Sequence, residues 1–138
     1  MSTFKDHFST RSDAYARYRP SYPDALFDFL AEAAPGRALA WDVATGSGQA
    51  ALALALRFER VIATEASRAQ LESAAPHPRV EYRNEAAERA SLEDESADLV
   101  NVAQALHWFD RPAFFAEAAR VLRPGGLLAA VSYGVFRS

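Results

Sequence analysis

Four residues, Asp42, Gly46, Gly48 and Glu65, are spaced as a ligand site would need them. Asp42 ends an apolar run, Val43-Ala44-Thr45-Gly46-Ser47-Gly48 follows it, and Glu65 stands nineteen residues after Gly46. An acid at the end of an apolar run, then glycines where the backbone turns, suits a ligand that the main chain approaches closely. A residue without a Cβ leaves that room and reaches positive φ freely. A second acid after the next apolar run can accept both hydroxyls of a ribose. The expected chemistry is recognition of a nucleotide-like cofactor. The glycines alone, read as Gly46-x-Gly48-x-x-Ala51, match only a relaxed dinucleotide fingerprint that arises often by chance.

The elements around these residues must place them. Ser21-Tyr22-Pro23-Asp24 reads as a helix start with Ser21 as cap and Pro23 in the first turn. Leu26, Leu30 and Ala33 form one face, and Pro35-Gly36 ends the helix. Ala38 to Val43 is apolar enough for a strand buried on both faces. The pattern then repeats: helix Gln49 to Phe58, strand Arg60 to Thr64, helix Ser67 to Ala74, strand Arg79 to Arg83, and strand Asp98 to Ala103. A helix from Arg111 to Leu122 capped by Asp110 follows, then a strand from Leu127 to Tyr133. Alternation of this kind predicts an α/β, Rossmann-like parallel sheet of five strands with helices on both faces and its ligand at the carboxyl ends of the strands.

Composition narrows the function classes. The chain has 138 residues, half of them apolar, enough for one domain with a core. Fifteen Lys and Arg against eighteen Asp and Glu give a net charge of −3, with no basic run, so nucleic acid is not an expected partner. The absence of cysteine excludes disulfides and thiolate metal sites, and no metal is expected. Met1 to His7 lacks the apolar core of a signal peptide, and the run Ala50 to Leu56 is too short to span a bilayer. A cytoplasmic protein without membrane association is the expectation.

The spacing Asp42-Val43-Ala44-Thr45-Gly46-Ser47-Gly48 resembles motif I of class I S-adenosylmethionine-dependent methyltransferases, in which an acid precedes three alternating glycines. Ala44 stands in place of the first glycine. Several further segments resemble that family in order. Glu65, followed by Ala66, corresponds to its ribose-binding acid. Ala87-Glu88 corresponds to its adenine contact, although Ala86 replaces the usual Asp, so backbone amides of Ala87 and Glu88 would hold the ring. Gln104-Ala105-Leu106-His107-Trp108-Phe109 is similar to the segment flanking the methionine part of the cofactor. Arg120 to Gly126 is similar to the helix end and turn before the fifth strand. Tyr15-Ala16-Arg17-Tyr18-Arg19-Pro20 resembles the N-terminal segment of the type 11 and trans-aconitate-like small-molecule methyltransferases.

The resemblance implies S-adenosyl-L-methionine as cofactor, held by Tyr15, Tyr18, Arg19, Asp42, Ala44, Thr45, Gly46, Ser47, Gly48, Glu65, Ala66, Ala87, Glu88, Gln104 and Ala105. It implies methyl transfer to a small-molecule acceptor near His107 and Trp108. His107 is the candidate base for a hydroxyl or amine acceptor, and a carboxylate acceptor needs none. His107-Trp108-Phe109 as core packing, Arg19 as a surface charge and Glu93 to Glu95 as a solvated turn are the plainer alternatives. Pro124-Gly125-Gly126 reads as a turn. Residues 1–20 are expected to fold over the cofactor, and residues 21–138 to form the binding domain. The family's sheet usually has seven strands, so the resemblance also implies that its C-terminal part is missing. The strand near Leu127 would then be an open edge prone to self-association. A truncated cofactor-binding module without catalysis, and a NAD-dependent oxidoreductase, are the competing functions.

Overall fold

The computed structural model describes residues 23–103 and 110–131. Its elements are α1 (Asp24–Ala33), β1 (Leu39–Val43), α2 (Gln49–Ala55), β2 (Arg60–Thr64), α3 (Arg68–Glu72), β3 (Val80–Arg83), β4 (Ala97–Ala103), α4 (Arg111–Val121) and β5 (Leu122–Val131). The five strands form one sheet in the order β3-β2-β1-β4-β5, and every neighbouring pair is parallel. This is the Rossmann-like architecture expected from the alternation. The chain steps outward from β1 to β2 and β3, then crosses back to β4 on the other side of β1. The crevice at the carboxyl ends of β1 and β4 is therefore the topological switch point, where ligands bind in such sheets.

The two-residue period of the strands divides the interior. Leu39, Trp41 and Val43 of β1, with Ile62, Val100 and Val102, pack beneath Phe114, Ala118 and Val121 of α4. Ala40, Val61, Ala63 and Leu99 face the other way, against Phe27, Leu30 and Ala31 of α1 and Ala51, Leu54 and Ala55 of α2. Trp41 meets Phe114 edge-on, and its indole Nε1 donates to Thr64 Oγ1 at 3.0 Å, so the largest core side chain keeps its polar atom satisfied.

The ends of the elements depart from the sequence expectation for local reasons. Helix α1 begins at Asp24 with extended Pro23 at the cap position and no side-chain cap; Ser21 lies outside the described residues. Helix α2 stops at Ala55 rather than Phe58, because Arg57 and Phe58 both turn back to the Leu54 carbonyl. Ser67 and Asp110 do cap α3 and α4, accepting from Gln70 N and Ala113 N. The largest difference is at β5. Leu122 already pairs with Ala97, and the next pair is Leu127 with Leu99, so Pro124-Gly125-Gly126 forms an irregularity inside the strand instead of a turn before it.

That irregularity is tied to Asp98, which is fully buried. Its Oδ2 accepts from Ala38 N at 2.9 Å and Leu39 N at 3.1 Å, and Arg123 Nε lies 3.1 Å from its Oδ1. Glu93 to Glu95 is exposed and turns, as a solvated turn would, and it is also tied to α4. Asp94 pairs with Arg120 at 2.7 Å, and Glu95 N donates to the Arg120 carbonyl.

Candidate cofactor-binding site

The loop after β1 winds through three residues with positive φ. Ala44 has φ 55°, Gly46 60° and Gly48 89°. The position where the family resemblance places a glycine thus keeps a left-handed backbone, and alanine tolerates it at a cost of about 1 to 2 kcal/mol. At Gly48 two constraints coincide. A Cβ there would lie 2.7 Å from the Tyr82 hydroxyl oxygen, and the backbone would be strained whatever the space. Around Gly46 the loop is open, since an added Cβ would meet only Gln70 Oε1, at 3.6 Å.

Glu65 closes the loop from β2. Its Oε1 accepts from Gly46 N at 2.8 Å and its Oε2 from Ser67 N at 3.0 Å. A carboxylate offers about four lone-pair directions, so acceptor capacity is left for hydroxyls of a ligand. Thr45 N continues the ladder to the Thr64 carbonyl, which pins the two strand ends together. Asn84 Nδ2 donates to the carbonyls of Glu65 and Ala66, tying the segment after β3 to the same corner. In that segment Ala87 packs in one cluster with Val43 and Ala44, and Glu88 accepts from Asp110 N at 2.9 Å, at the cap of α4.

Asp42 lies beneath the loop, only 1% exposed. Thr45 Oγ1 donates to its Oδ2 at 2.6 Å and Asn101 Nδ2 to its Oδ1 at 3.0 Å. Burial pushes the carboxyl up from its ordinary 3.8 to about 6; the two hydrogen bonds oppose this, and the Glu65 charge adds a smaller upward push. Burial, and then the Asp42 charge, also raise the Tyr82 phenol. A buried carboxylate held, among the described residues, by neutral donors alone at a switch point can take a cationic or hydrogen-bonding group of a ligand.

The structure brings Asp42, Ala44, Thr45, Gly46, Ser47, Gly48, Glu65, Ala66, Ala87 and Glu88 to the carboxyl ends of β1, β2 and β3. Tyr15, Tyr18, Arg19, Gln104, Ala105, His107 and Trp108 lie outside the described residues. The sequence reading passed over Asn101, Tyr82 and Asn84. An amide inside the apolar run Ala97–Ala103 was the available signal for Asn101, since an unpaired buried amide is costly. Among the described residues no group of three or more His, Asp or Glu could hold a metal ion, and no helix is long and apolar enough to cross a membrane.

The glycine loop, the acids beside the strand ends and the switch point together mark a candidate cofactor site in an α/β domain. Residues 41–130 match the methyltransferase domain family, and the chain belongs to it. It is 43% identical over 135 residues to a Dictyostelium discoideum protein whose name calls it a methyltransferase, covering 97% of this chain and 51% of that one. An uncharacterized methyltransferase of Mycobacterium tuberculosis is 40% identical over 125 residues, 90% of this chain and 51% of the relative. A solved structure titled as a type II methyltransferase, from Anaeromyxobacter dehalogenans, superposes with TM-score 0.82 and 51% identity over 85% of this chain and 50% of that chain. The [4+2]-cyclase SpnF shares the fold at TM-score 0.68 and 28% identity, over 81% of this chain and 46% of its own. The chain spans about half the length of the curated relatives it matches.

Proposed function

We propose that this chain is the S-adenosylmethionine-binding domain of a methyltransferase that acts on a small-molecule acceptor. The observation that carries the reading is the arrangement of Asp42, the left-handed loop Ala44 to Gly48, and Glu65 at the switch point. The residues present fit the cofactor: Gly46 leaves the loop open, Glu65 has acceptor capacity for ribose hydroxyls, and Asp42 is a buried acceptor for the amino-acid part. When bound, the sulfonium cofactor supplies a methyl group that is already activated. The protein then has to orient its partner in line and exclude water. Tyr15, Tyr18, Arg19, Gln104 and Ala105 complete the cofactor set in this reading, with residues 1–20 folding over it. His107 and Trp108 face the acceptor. His107 acts as base for a hydroxyl or amine, and a carboxylate acceptor, as in the trans-aconitate-like subgroup, needs none. The proposed location is the cytoplasm.

A binding module without catalysis of its own is the second reading. The outer edge of β5 has no neighbour in the described sheet, and an open edge of that kind takes a strand from another chain or segment. Self-association near Leu127 belongs to this reading. SpnF adds that this fold also carries other reactions. The nicotinamide alternative gains no support from the relatives.

Calorimetric titration with S-adenosylhomocysteine and with NAD tests the main reading. Binding of the sulfur ligand alone is expected, and binding of NAD with none of the sulfur ligand would overturn it. Light scattering over a range of concentrations tests the open edge. A monomer at the highest concentration refutes self-association.

A further inference from the structure

Asn101 has no role in the site as read so far, yet it lies at the switch point itself. In the parallel register between β1 and β4 it stands beside Asp42. Trp41, Val43, Val100 and Val102 pack on the α4 face of the sheet, so Asp42 and Asn101, which alternate with them, leave the sheet on the opposite face. Asn101 is 2% exposed. Its Nδ2 donates to Asp42 Oδ1 at 3.0 Å, while its Oδ1 is buried with no hydrogen-bond partner among the described residues. A buried amide with an unused acceptor is costly where a leucine would pack at no such cost. Packing alone therefore does not account for it.

We propose that Asn101 is a positioning residue of the cofactor site, holding the Asp42 carboxylate in the orientation that ligand binding requires. The inference rests on the reading of Asp42 as a ligand acceptor. Asp42 is gripped from two sides, by Thr45 from the loop and by Asn101 from the neighbouring strand. Without Asn101 the Thr45 hydroxyl is, among the described residues, the one hydrogen-bond donor left to the carboxylate. The groups around Asp42 among the described residues are Thr45, Asn101, the Glu65 charge from β2 and the Tyr82 phenol from β3. Of these, Thr45 and Asn101 are the two that favour the ionised form. Loss of Asn101 thus disturbs both the orientation and the charge of Asp42, and the second effect gives a signature that a loss of packing does not.

The test compares the 138-residue chain with Asn101→Leu, an isosteric change that removes the donor. The Asp42 carboxyl is titrated by carbon NMR without ligand, and S-adenosylhomocysteine affinity is measured by calorimetry at pH 5.5 and pH 8.5. The Asp42 midpoint is expected to rise by about one pH unit, so the affinity loss at pH 5.5 exceeds that at pH 8.5 by close to tenfold. Asn101→Ala carries the same expectation should the leucine variant not fold. An unchanged midpoint, or an equal loss at the two pH values, overturns the role of Asn101. Failure of the unaltered chain to bind S-adenosylhomocysteine at either pH overturns the cofactor reading and this inference with it.

Discussion

Replacing Asp42 with asparagine should make the protein more stable at neutral pH and a poorer binder of its cofactor. The carboxyl is raised from 3.8 to about 6, chiefly by burial. The folded state therefore holds the proton more tightly than the unfolded chain between those values, and stability falls as pH rises through the window from about 4 to 6. At about 1.4 kcal/mol per pH unit, the ionised carboxyl costs about 3 kcal/mol at pH 7 and almost nothing below pH 4. Asp42→Asn removes that charge and keeps the shape. Its amide oxygen can still accept from the Thr45 hydroxyl, and its amide nitrogen can donate to Asn101 Oδ1 once the Asn101 amide turns over. Urea unfolding at pH 7.5, 5.5 and 4 measures the effect. With a slope of about 2 kcal/mol per molar, the midpoint should rise by about 1.5 M at pH 7.5, and the gain should vanish by pH 4. A variant less stable than its parent at pH 7.5, or a gain that does not shrink with falling pH, would refute the reasoning.

Four other substitutions separate the parts of the site from the parts of the scaffold. Glu65→Gln should weaken S-adenosylhomocysteine binding by about tenfold in calorimetry, because an amide nitrogen would face Gly46 N or Ser67 N as donor against donor. Gly48→Ala should lower unfolding free energy by about 2 kcal/mol in a urea titration, from its φ of 89° and the nearby Tyr82; Ala44→Gly, which relieves strain while loosening the unfolded chain, should change it by less than about 1 kcal/mol. Arg123→Met should destabilise by about 1 to 3 kcal/mol at neutral pH, since it leaves the buried Asp98 carboxylate with two backbone amides and no counter-charge. A neutral result there would show that the amides alone suffice.

The periodic parts of the fold are legible in the sequence because their causes are local. Arg60–Thr64 has the same bounds in the structure as in the apolar pattern, and Ser67 and Asp110 act as the caps their types announce. Asp42, the glycines and Glu65 are legible for the same reason, since strand, turn and strand are consecutive. What escaped the sequence depends on partners far along the chain. Asp98 is set by amides sixty and fifty-nine residues away, and the irregular start of β5 follows from Ala97 and Leu99 pairing across it. Asn101 meets Asp42 across fifty-nine residues, through a crossover that only the strand order reveals. Tyr82 on Gly48 is of the same kind, a side chain from the edge strand filling the space a Cβ would take.

Two buried aspartates on adjacent strands sit in contrasting surroundings. Asp98 begins β4 at the end of the sheet away from the glycine loop, and a guanidinium and two backbone amides surround it. Opposite charge and backbone donors meet the carboxyl there, although its Oδ1 has no hydrogen-bond partner among the described residues. Asp42 stands near the other end of the sheet with two neutral donors, a like charge at Glu65 and an acceptor-side neighbour left unpaired. The left-handed backbone of Ala44 in the loop above it adds strain at the same place. Unmet electrostatic demand and a strained backbone residue therefore meet at the switch point of the sheet, where the fold itself leaves a crevice. A ligand that carries a positive group for Asp42 and hydroxyls for Glu65 would meet that demand, and the stability given up at Asp42 would return as affinity. The opposite signs expected for Asp42→Asn and Arg123→Met follow from this contrast, since one removes a charge that the fold opposes and the other strands a charge that the fold supports.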